Sequence, residues 1–289
     1  MKIKDLLQTK KFVFSLEIFP PKPEAEISVI FKALDGLVDL NPEYISVTYG
    51  AGGGTKSRTV EIADKIENHY KLPALAHLTC IGATKESIAK ILDELKNKKV
   101  QNIMALRGDL PLGTENPLKD FQYASDLVAF IKKNWDFCVG VAGYPEKHPE
   151  AKTAQEDIDH LKKKVDAGAD FITTQLFLDN DFFFRFADTV KKAGIKVPLV
   201  PGVMTATKLA NLERMTKMCG VAIPERFIKA TATCDIHNPV CEETVQYTVG
   251  QINHLVKNGV KAIHLYSMNR VKQNHRIYEE SILSSMERK

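Results

Sequence analysis

Short apolar, β-branched runs alternate along the chain with longer stretches whose apolar residues recur every three to four positions. The runs are 12–19 (FVFSLEIF), 44–49 (YISVTY), 73–80 (PALAHLTC), 101–107 (QNIMALR), 137–143 (FCVGVAG), 170–177 (DFITTQLF), 197–201 (VPLVP) and 261–267 (KAIHLYS). They predict about eight strands. The helical period predicts helices over 84–98, 121–134, 153–167 and 181–193. Thr84 has the chemistry of an N-cap, with an acidic residue in the turn that follows. Ala-Gly-Ala at 167–169, Ala-Gly-Ile at 193–195 and Asn-Gly-Val at 258–260 read as helix C-caps leading into strands. The long stretch 202–240 is expected to carry extra helices.

Strand–helix alternation implies parallel strands joined by crossover helices. About eight such units favour closure into a (β/α)8 TIM barrel of the α/β class, a fold that holds roughly 250 residues in one domain. A single domain over 1–289, with extra helices near the C-terminal part, is the expectation. An open doubly wound sheet is the alternative. Against it, no GxGxxG follows the first strand, where FSLEIFPPK runs into two prolines. The glycine cluster at 50–54 lacks that spacing, and it does not complete a phosphate loop, since Thr55 stands where the loop has glycine before Lys56-Ser57.

Alternation along a strand separates two faces. Phe14, Leu16 and Ile18 share one, which should meet the helices; Ser15 and Glu17 share the other, which should point into the barrel. The same division sets Ser46 and Thr48 inward, then Leu75, His77 and Thr79, then Thr173 and Gln175, and it places Arg107 and Asp109 on one side of the fourth strand. Glu17, Thr48, His77, Arg107, Asp109 and Gln175 fall at strand ends. They should meet at the C-terminal mouth, where barrels of this kind carry their active sites.

Composition narrows the picture without changing it. The chain has 289 residues, 44% hydrophobic and 26% charged, as expected of a globular protein. The net charge of +4 and the absence of a Lys/Arg block give no nucleic-acid footprint. No apolar run approaches the roughly 20 residues that cross a bilayer, and the N-terminal MKIKDLLQTKK has no apolar signal region. A cytoplasmic location is therefore expected. Five cysteines, an odd number with no CxxC pair, argue against a disulfide framework and a zinc site.

Each candidate carries an ordinary reading beside the functional one. Glu17, flanked by Leu16 and Ile18, is either a carboxyl that resists ionisation and donates a proton near neutral pH, or one half of a structural ion pair. Arg107 and Asp109 either pair with each other or bind a heterocycle, with Gly108 allowing close backbone approach. His77 is a core histidine, a ring contact or, without a second ligand at metal spacing, least of all a metal ligand. His148 sits on a loop after the fifth strand and is either solvated or a ligand contact. Lys162, Lys163 and Lys164 form a solvated helix face from which one lysine can reach a diphosphate. Phe182, Phe183, Phe184 and Phe186 read as core.

The segments FSLEIFPPK, ISVTYGAGGGTKSRT, LAHLTCIGAT, IMALRGDLP, YASDLV, VAGYPEKHPEA, KVDAGADFITTQLFLD, VPGVM and HLYSMNR, in this order over about residues 11 to 275, resemble the methylenetetrahydrofolate reductase family in its short bacterial form. The resemblance implies a single catalytic barrel without a C-terminal regulatory domain, and non-covalent FAD in its mouth. It implies a ping-pong hydride relay in which NADH or NADPH reduces the flavin and 5,10-methylenetetrahydrofolate then receives the hydride, giving 5-methyltetrahydrofolate for methionine synthesis. Glu17 matches the family's general acid, protonating N10. Asp109 matches the carboxylate that binds the pterin and tunes the flavin, Gln175 the glutamine that contacts folate and nicotinamide, and Arg270 a folate-binding arginine. The flavin contacts carry over to Thr48, Tyr49, Ala51, His77, Arg107, Gly108, Asp109, Tyr123, Ala124, Tyr144, His148, Ala151, Asp157, His160, Lys163 and Lys164. Where the family stacks an aromatic on the folate, PERFIKATATC aligns Thr231, so either Phe227 substitutes from a nearby turn or the contact is absent. A homo-oligomer is expected, with no resident metal and no nucleic-acid or membrane partner. Two competing readings are a metal-dependent aldolase or hydrolase using Glu17, His77 and Asp109, and an accessory subunit that only holds flavin or folate.

Overall fold

The computed structural model describes residues 1–21, 24–49, 56–109, 119–204, 213, 216–232, 234, 238 and 240–286. Its strands are β1 (Val13–Ile18), β2 (Tyr44–Val47), β3 (Ala74–Thr79), β4 (Asn102–Leu106), β5 (Cys138–Gly143), β6 (Phe171–Thr174), β7 (Leu199–Val200), β8 (Gly202–Met204) and β9 (Ala262–Tyr266). The helices described are α1 (Ile3–Thr9), α2 (Ser28–Val38), α3 (Lys56–Asp64), α4 (Lys85–Asn97), α5 (Ala124–Asn134), α6 (Ala154–Asp166), α7 (Asn180–Lys192), α8 (Glu225–Ala232), α9 (Glu242–Lys257) and α10 (Val271–Glu280).

All pairings are parallel, in the order β7-β6-β5-β4-β3-β2-β1-β9-β8. The two ends of that order are consecutive in sequence, so the sheet closes on itself as a (β/α)8 barrel. The seventh predicted run, 197–201, holds β7, and a further strand, β8, follows at once in the stretch 202–240 that was expected to carry helices. Pro201 has no N–H to give the ladder, so the segment leaves β6 there and joins β9, with the Pro201 carbonyl accepting from His264 N at 3.0 Å. Side chains complete the seam: Gly202 N donates to Thr174 Oγ1 at 2.9 Å, and Tyr266 Oη donates to the Thr174 carbonyl at 2.6 Å.

Period-two alternation holds in β1. Phe14, Leu16 and Ile18 pack between barrel and helices in the main apolar core. Inside the barrel, Val13, Tyr44, Leu75, Met104, Cys138, Phe171, Val200 and Ala262 form a lower apolar layer. Gly140 leaves room in that layer for the Phe171 ring, which a Cβ would meet at 2.5 Å. Helix α1 closes this end with Ile3 and Leu6, and Ile3 N donates to Asn102 Oδ1 at 2.8 Å. The layer above is polar, and it is the one that faces the C-terminal mouth.

The predicted helix signals hold. Thr84 accepts from Ser87 N at the start of α4, and Ser87 Oγ accepts from Thr84 N in return. Thr84→Ala is therefore expected to cost about 1 kcal/mol, read as a lower urea midpoint with an unchanged slope. Gly168, Gly194 and Gly259 take φ of +113°, +75° and +86°, the left-handed conformation that glycine adopts without strain. The stretch between the last strands carries α8, as expected. The cysteines differ from expectation: Cys234 and Cys241 form a disulfide (Cα–Cα 5.2 Å) joining the end of α8 to the cap of α9. Odd count and missing CxxC do not exclude a local pair seven residues apart. Cys80, Cys138 and Cys219 are free thiols. No described helix is long and apolar enough to cross a membrane.

Candidate active site

Glu17 ends β1 on the inward face and is only 6% exposed. Ser46 Oγ donates to its Oε2 at 3.1 Å, and His264 Nε2 lies 3.4 Å from the same oxygen within hydrogen-bonding geometry. His77 Nε2 is 3.3 Å away but off the line of a hydrogen bond, and is otherwise unpartnered. His77 thus faces the carboxylate without donating a hydrogen bond to it. Burial pushes the Glu17 carboxyl up. The charge of His77, the hydrogen bond and charge of His264 and the Ser46 hydroxyl outweigh it and leave the group below the usual carboxylate range. This departs from the expectation of an apolar niche. Leu16 and Ile18, the neighbours in sequence, point to the other side of the sheet, and the neighbours in space are imidazoles and a hydroxyl. Burial also lowers His77, against the pull of Glu17.

A cavity of about 370 Å³ opens at the same C-terminal face of the barrel, at the ends of β4 and β5 and the N-termini of α5 and α6. The predicted residues Arg107, Tyr123, Ala124, Tyr144 and His148 line it. So do Ala151, Asp157, His160, Lys163 and Lys164. The His160 ring stacks on Tyr123 with centroids 6.2 Å apart, and Tyr144 meets His148 edge-on at 4.5 Å. Asp157 accepts from His148 N at 3.1 Å, and Glu150 N donates to His148 Nδ1, which leaves the proton of the neutral ring on Nε2. Lys164 donates to the Ala142 carbonyl at 2.6 Å. Burial lowers its ammonium to about 8, with only Asp157 opposing. Lys162, by contrast, pairs with Asp166 on the exposed face.

Arg107 and Asp109 do not pair with each other. Arg107 forks onto both oxygens of Glu150, at 2.5 and 2.6 Å. Nor do they continue the alternation of β4, whose inward residues are Asn102, Met104 and Leu106. The strand stops at Leu106 and Gly108, at φ +89°, turns the chain. A Cβ on Gly108 would meet Ile81 Cγ2 at 2.7 Å. Asp109 is exposed, and its charge reaches Tyr144, Cys219 and Arg107. The Tyr266 phenol, pushed up chiefly by burial, responds to Glu17, Cys219 and Tyr144 together. Acid cluster and cavity therefore share the C-terminal face of the barrel.

The other predicted residues fall as follows. Thr48 and Tyr49 are half-buried after β2, with Thr48 N donating to the Ile18 carbonyl. Ala51 lies outside the described residues. Gln175 Oε1 accepts from Leu176 N at 2.8 Å. Arg270 is half-buried with no ion pair among the described residues, and burial lowers its guanidinium. Phe227 is 0% exposed, edge-on to Tyr247 at 4.6 Å in a satellite core with Leu176, Leu178 and Met204. Its ring offers no open face, and Thr231 is likewise buried. Phe183 and Phe186 are core, as read from sequence. Among the described residues no group of three or more His, Cys, Asp and Glu is arranged to hold a metal ion. Sequence reasoning missed Glu150, Cys219, Tyr266 and His264. The last two share the inward face of the final run with Ala262, so alternation could have found them.

The sequence model of the family described as methylenetetrahydrofolate reductase matches residues 2–282. The chain is 37% identical over 264 residues to 5,10-methylenetetrahydrofolate reductase of Escherichia coli (strain K12), covering 91% of this chain and 88% of that protein. It is 35% identical over 283 residues to methylenetetrahydrofolate reductase (NADH) 1 of Arabidopsis thaliana, covering 93% of this chain and about half (48%) of the plant protein. A solved structure of a Clostridium thermocellum protein that binds two copies of 5-methyl-5,6,7,8-tetrahydrofolic acid superposes with a TM-score of 0.68 over 98% of this chain and 99% of that one. At 15% identity that likeness concerns the fold alone. The family match, spanning nearly every element from α1 to α10, shows that the chain belongs to the methylenetetrahydrofolate reductase family.

Proposed function

We propose that this protein reduces 5,10-methylenetetrahydrofolate to 5-methyltetrahydrofolate, with FAD as cofactor and NADH or NADPH as donor. The observation that carries the reading is a ligand-sized cavity on the same C-terminal face as a buried, hydrogen-bonded glutamate, in a barrel of this family. Cavities of roughly 300–1,000 Å³ are the usual range for small-molecule sites.

The residues suit a flavin dinucleotide. Lys163 and Lys164 bring positive charge to a cavity in which Arg107 and Glu150 pair with each other and Glu156 and Asp157 accept from backbone N–H groups, and ammonium groups there suit a diphosphate. Tyr123 and His160 offer a stacked aromatic face, and Gly108 keeps a Cβ away from the mouth. Thr48, Tyr49, Ala51, His77 and Asp109 complete the proposed set. Bound there, the flavin supplies hydride transfer from nicotinamide to folate.

The chain's own groups do the rest. Glu17 supplies a proton to N10 of the folate. Asp109, exposed at the mouth, holds the pterin and stabilises the cation that develops when the ring opens. Gln175 positions folate and nicotinamide in turn, since its amide NH2 makes no hydrogen bond among the described residues. Arg270, without a carboxylate partner there, binds the acidic end of the folate.

Purified protein given FAD is expected to show the visible flavin band, bleach with NADH or NADPH and recover with methylenetetrahydrofolate. A protein that takes up no flavin, or whose reduced flavin ignores the folate, would defeat the reading. Flavin affinity is expected to fall as pH rises through about 8, because Lys164 attracts a diphosphate only while it is an ammonium. In Lys164→Met the Kd for FAD, read by fluorescence, should rise about ten-fold or more and lose that alkaline dependence.

A further inference from the structure

We propose that Glu17 and His264 share one transferable proton, so that the acid presented to the folate is a carboxyl–imidazole pair with His264 as its positioning residue. This inference rests on the folate-reducing function proposed above and deepens it.

His264 is wholly buried in the polar layer of the barrel, behind Glu17. Its Nε2 faces Glu17 Oε2 at 3.4 Å and Ser46 Oγ at 3.3 Å. Its Nδ1 is 2.8 Å from Ser15 Oγ, which also reaches the Ile263 carbonyl at 3.3 Å. A hydroxyl both donates and accepts. Ser15 can donate to a bare Nδ1, or accept from a protonated Nδ1 while giving its own proton to Ile263. The ring can therefore gain or lose a proton without leaving a buried polar atom unpaired, the usual obstacle to titration inside a core. At the other edge Ser46 commits its single proton to Glu17 Oε2. One position then remains between Oε2 and Nε2, and a proton there sits on either partner.

The surrounding groups hold this arrangement without competing for the proton. From β2, Tyr44 stacks on the imidazole with centroids 5.9 Å apart, and from β9 Tyr266 meets it edge-on at 5.4 Å. Burial pushes both phenols up, so they stay neutral. From β3, His77 touches the same carboxylate oxygen but makes no hydrogen bond through Nε2, and burial keeps its ring below the usual range. Of the two imidazoles, His264 alone is hydrogen-bonded to Glu17 at one nitrogen and to an adaptable hydroxyl at the other.

The pair also answers a difficulty. A carboxyl held below its ordinary range is a poor reservoir for a proton needed near neutral pH. Two coupled sites retain one proton to a higher pH than either alone, because both protonated arrangements contribute. On transfer the Glu17 O–H bond breaks as N10–H forms. This leaves a carboxylate beside a neutral imidazole, and solvent returns the proton after product leaves.

The test uses FAD-loaded protein. Folate reduction is measured across pH as a ratio to donor oxidation with an artificial acceptor, for wild type, His264→Gln and Ser15→Ala. Glutamine offers Glu17 an N–H but holds no second proton. The limb on which folate reduction falls with rising pH should move down by about one unit, a ten-fold loss at a fixed alkaline pH. Ser15→Ala, a smaller change if His264→Gln folds poorly, should move it the same way by less. Independently, NMR of the ring nitrogens should show His264 losing its proton at lower pH in Glu17→Gln than in wild type. Superimposable alkaline limbs in all three proteins, or a His264 titration indifferent to Glu17, would overturn the proposal. Unshifted limbs alongside an inactive Glu17→Gln overturn this inference alone; a wild type that never reduces the folate overturns the functional reading as well.

Discussion

Glu17→Gln is expected to lower reduction of methylenetetrahydrofolate by about 10²–10⁴-fold, the usual contribution of a positioned general acid. Donor oxidation with an artificial acceptor should persist. Glutamine keeps the shape of the side chain and a carbonyl oxygen to accept from Ser46, so the polar layer should stay closed. What it removes is a transferable proton. Stopped-flow measurement of the two half-reactions separates the outcomes. Loss confined to the folate half assigns Glu17 to proton donation. Equal loss in both would mean that the residue only maintains the mouth, and the assignment would be withdrawn. The comparison is informative because Glu17 touches three side chains at once, and a purely structural defect would also disturb His77, which is proposed to contact the flavin.

Gly202→Ala should be among the most damaging single changes to stability. The added Cβ would lie 2.5 Å from Tyr266 Oη and closer still to the Thr174 carbonyl oxygen. These two groups form the hydrogen bond across the barrel seam, and Gly202 N donates to Thr174 Oγ1 in the same place. Neither backbone can yield without opening the β6–β8 junction. Overpacking of this kind costs on the order of 3 kcal/mol, which for a chain of this size lowers Tm by about 5 °C. Gly250→Ala is the control. Gly250 lies within α9 with open space around its Cα, and alanine should stabilise by roughly 0.5–1 kcal/mol. A Gly202→Ala protein that melts with wild type would show that the seam tolerates displacement.

The legible parts of the chain were those governed by local rules. Thr84 caps α4 because its hydroxyl finds an orphan N–H three residues away, whatever lies beyond. Gly168, Gly194 and Gly259 end helices because each reverses φ where a side chain would be strained. Alternation in β1 separated Phe14 from Glu17 because a strand has only two faces. The same rule failed at Arg107 and Asp109, since β4 had ended and Gly108 had turned the chain. Beyond Pro201 the reading missed β8, a short strand that pairs with β9 where β7 had paired with β6.

Sequence alone thus determined the repeating strand–helix order, the parallel barrel, and the strand ends that carry the polar residues, because each follows from periodicities of a few residues. Tertiary structure alone decided what those polar groups meet. Arg107 finds Glu150, 43 positions away, and Glu17 finds His264, 247 positions away. Cys234 finds Cys241 across a loop whose path no spacing rule specifies. Barrel closure brings β1 beside β9, and the electrostatic character of a buried carboxyl is set by the groups within a few ångströms of it, not by those adjacent in sequence.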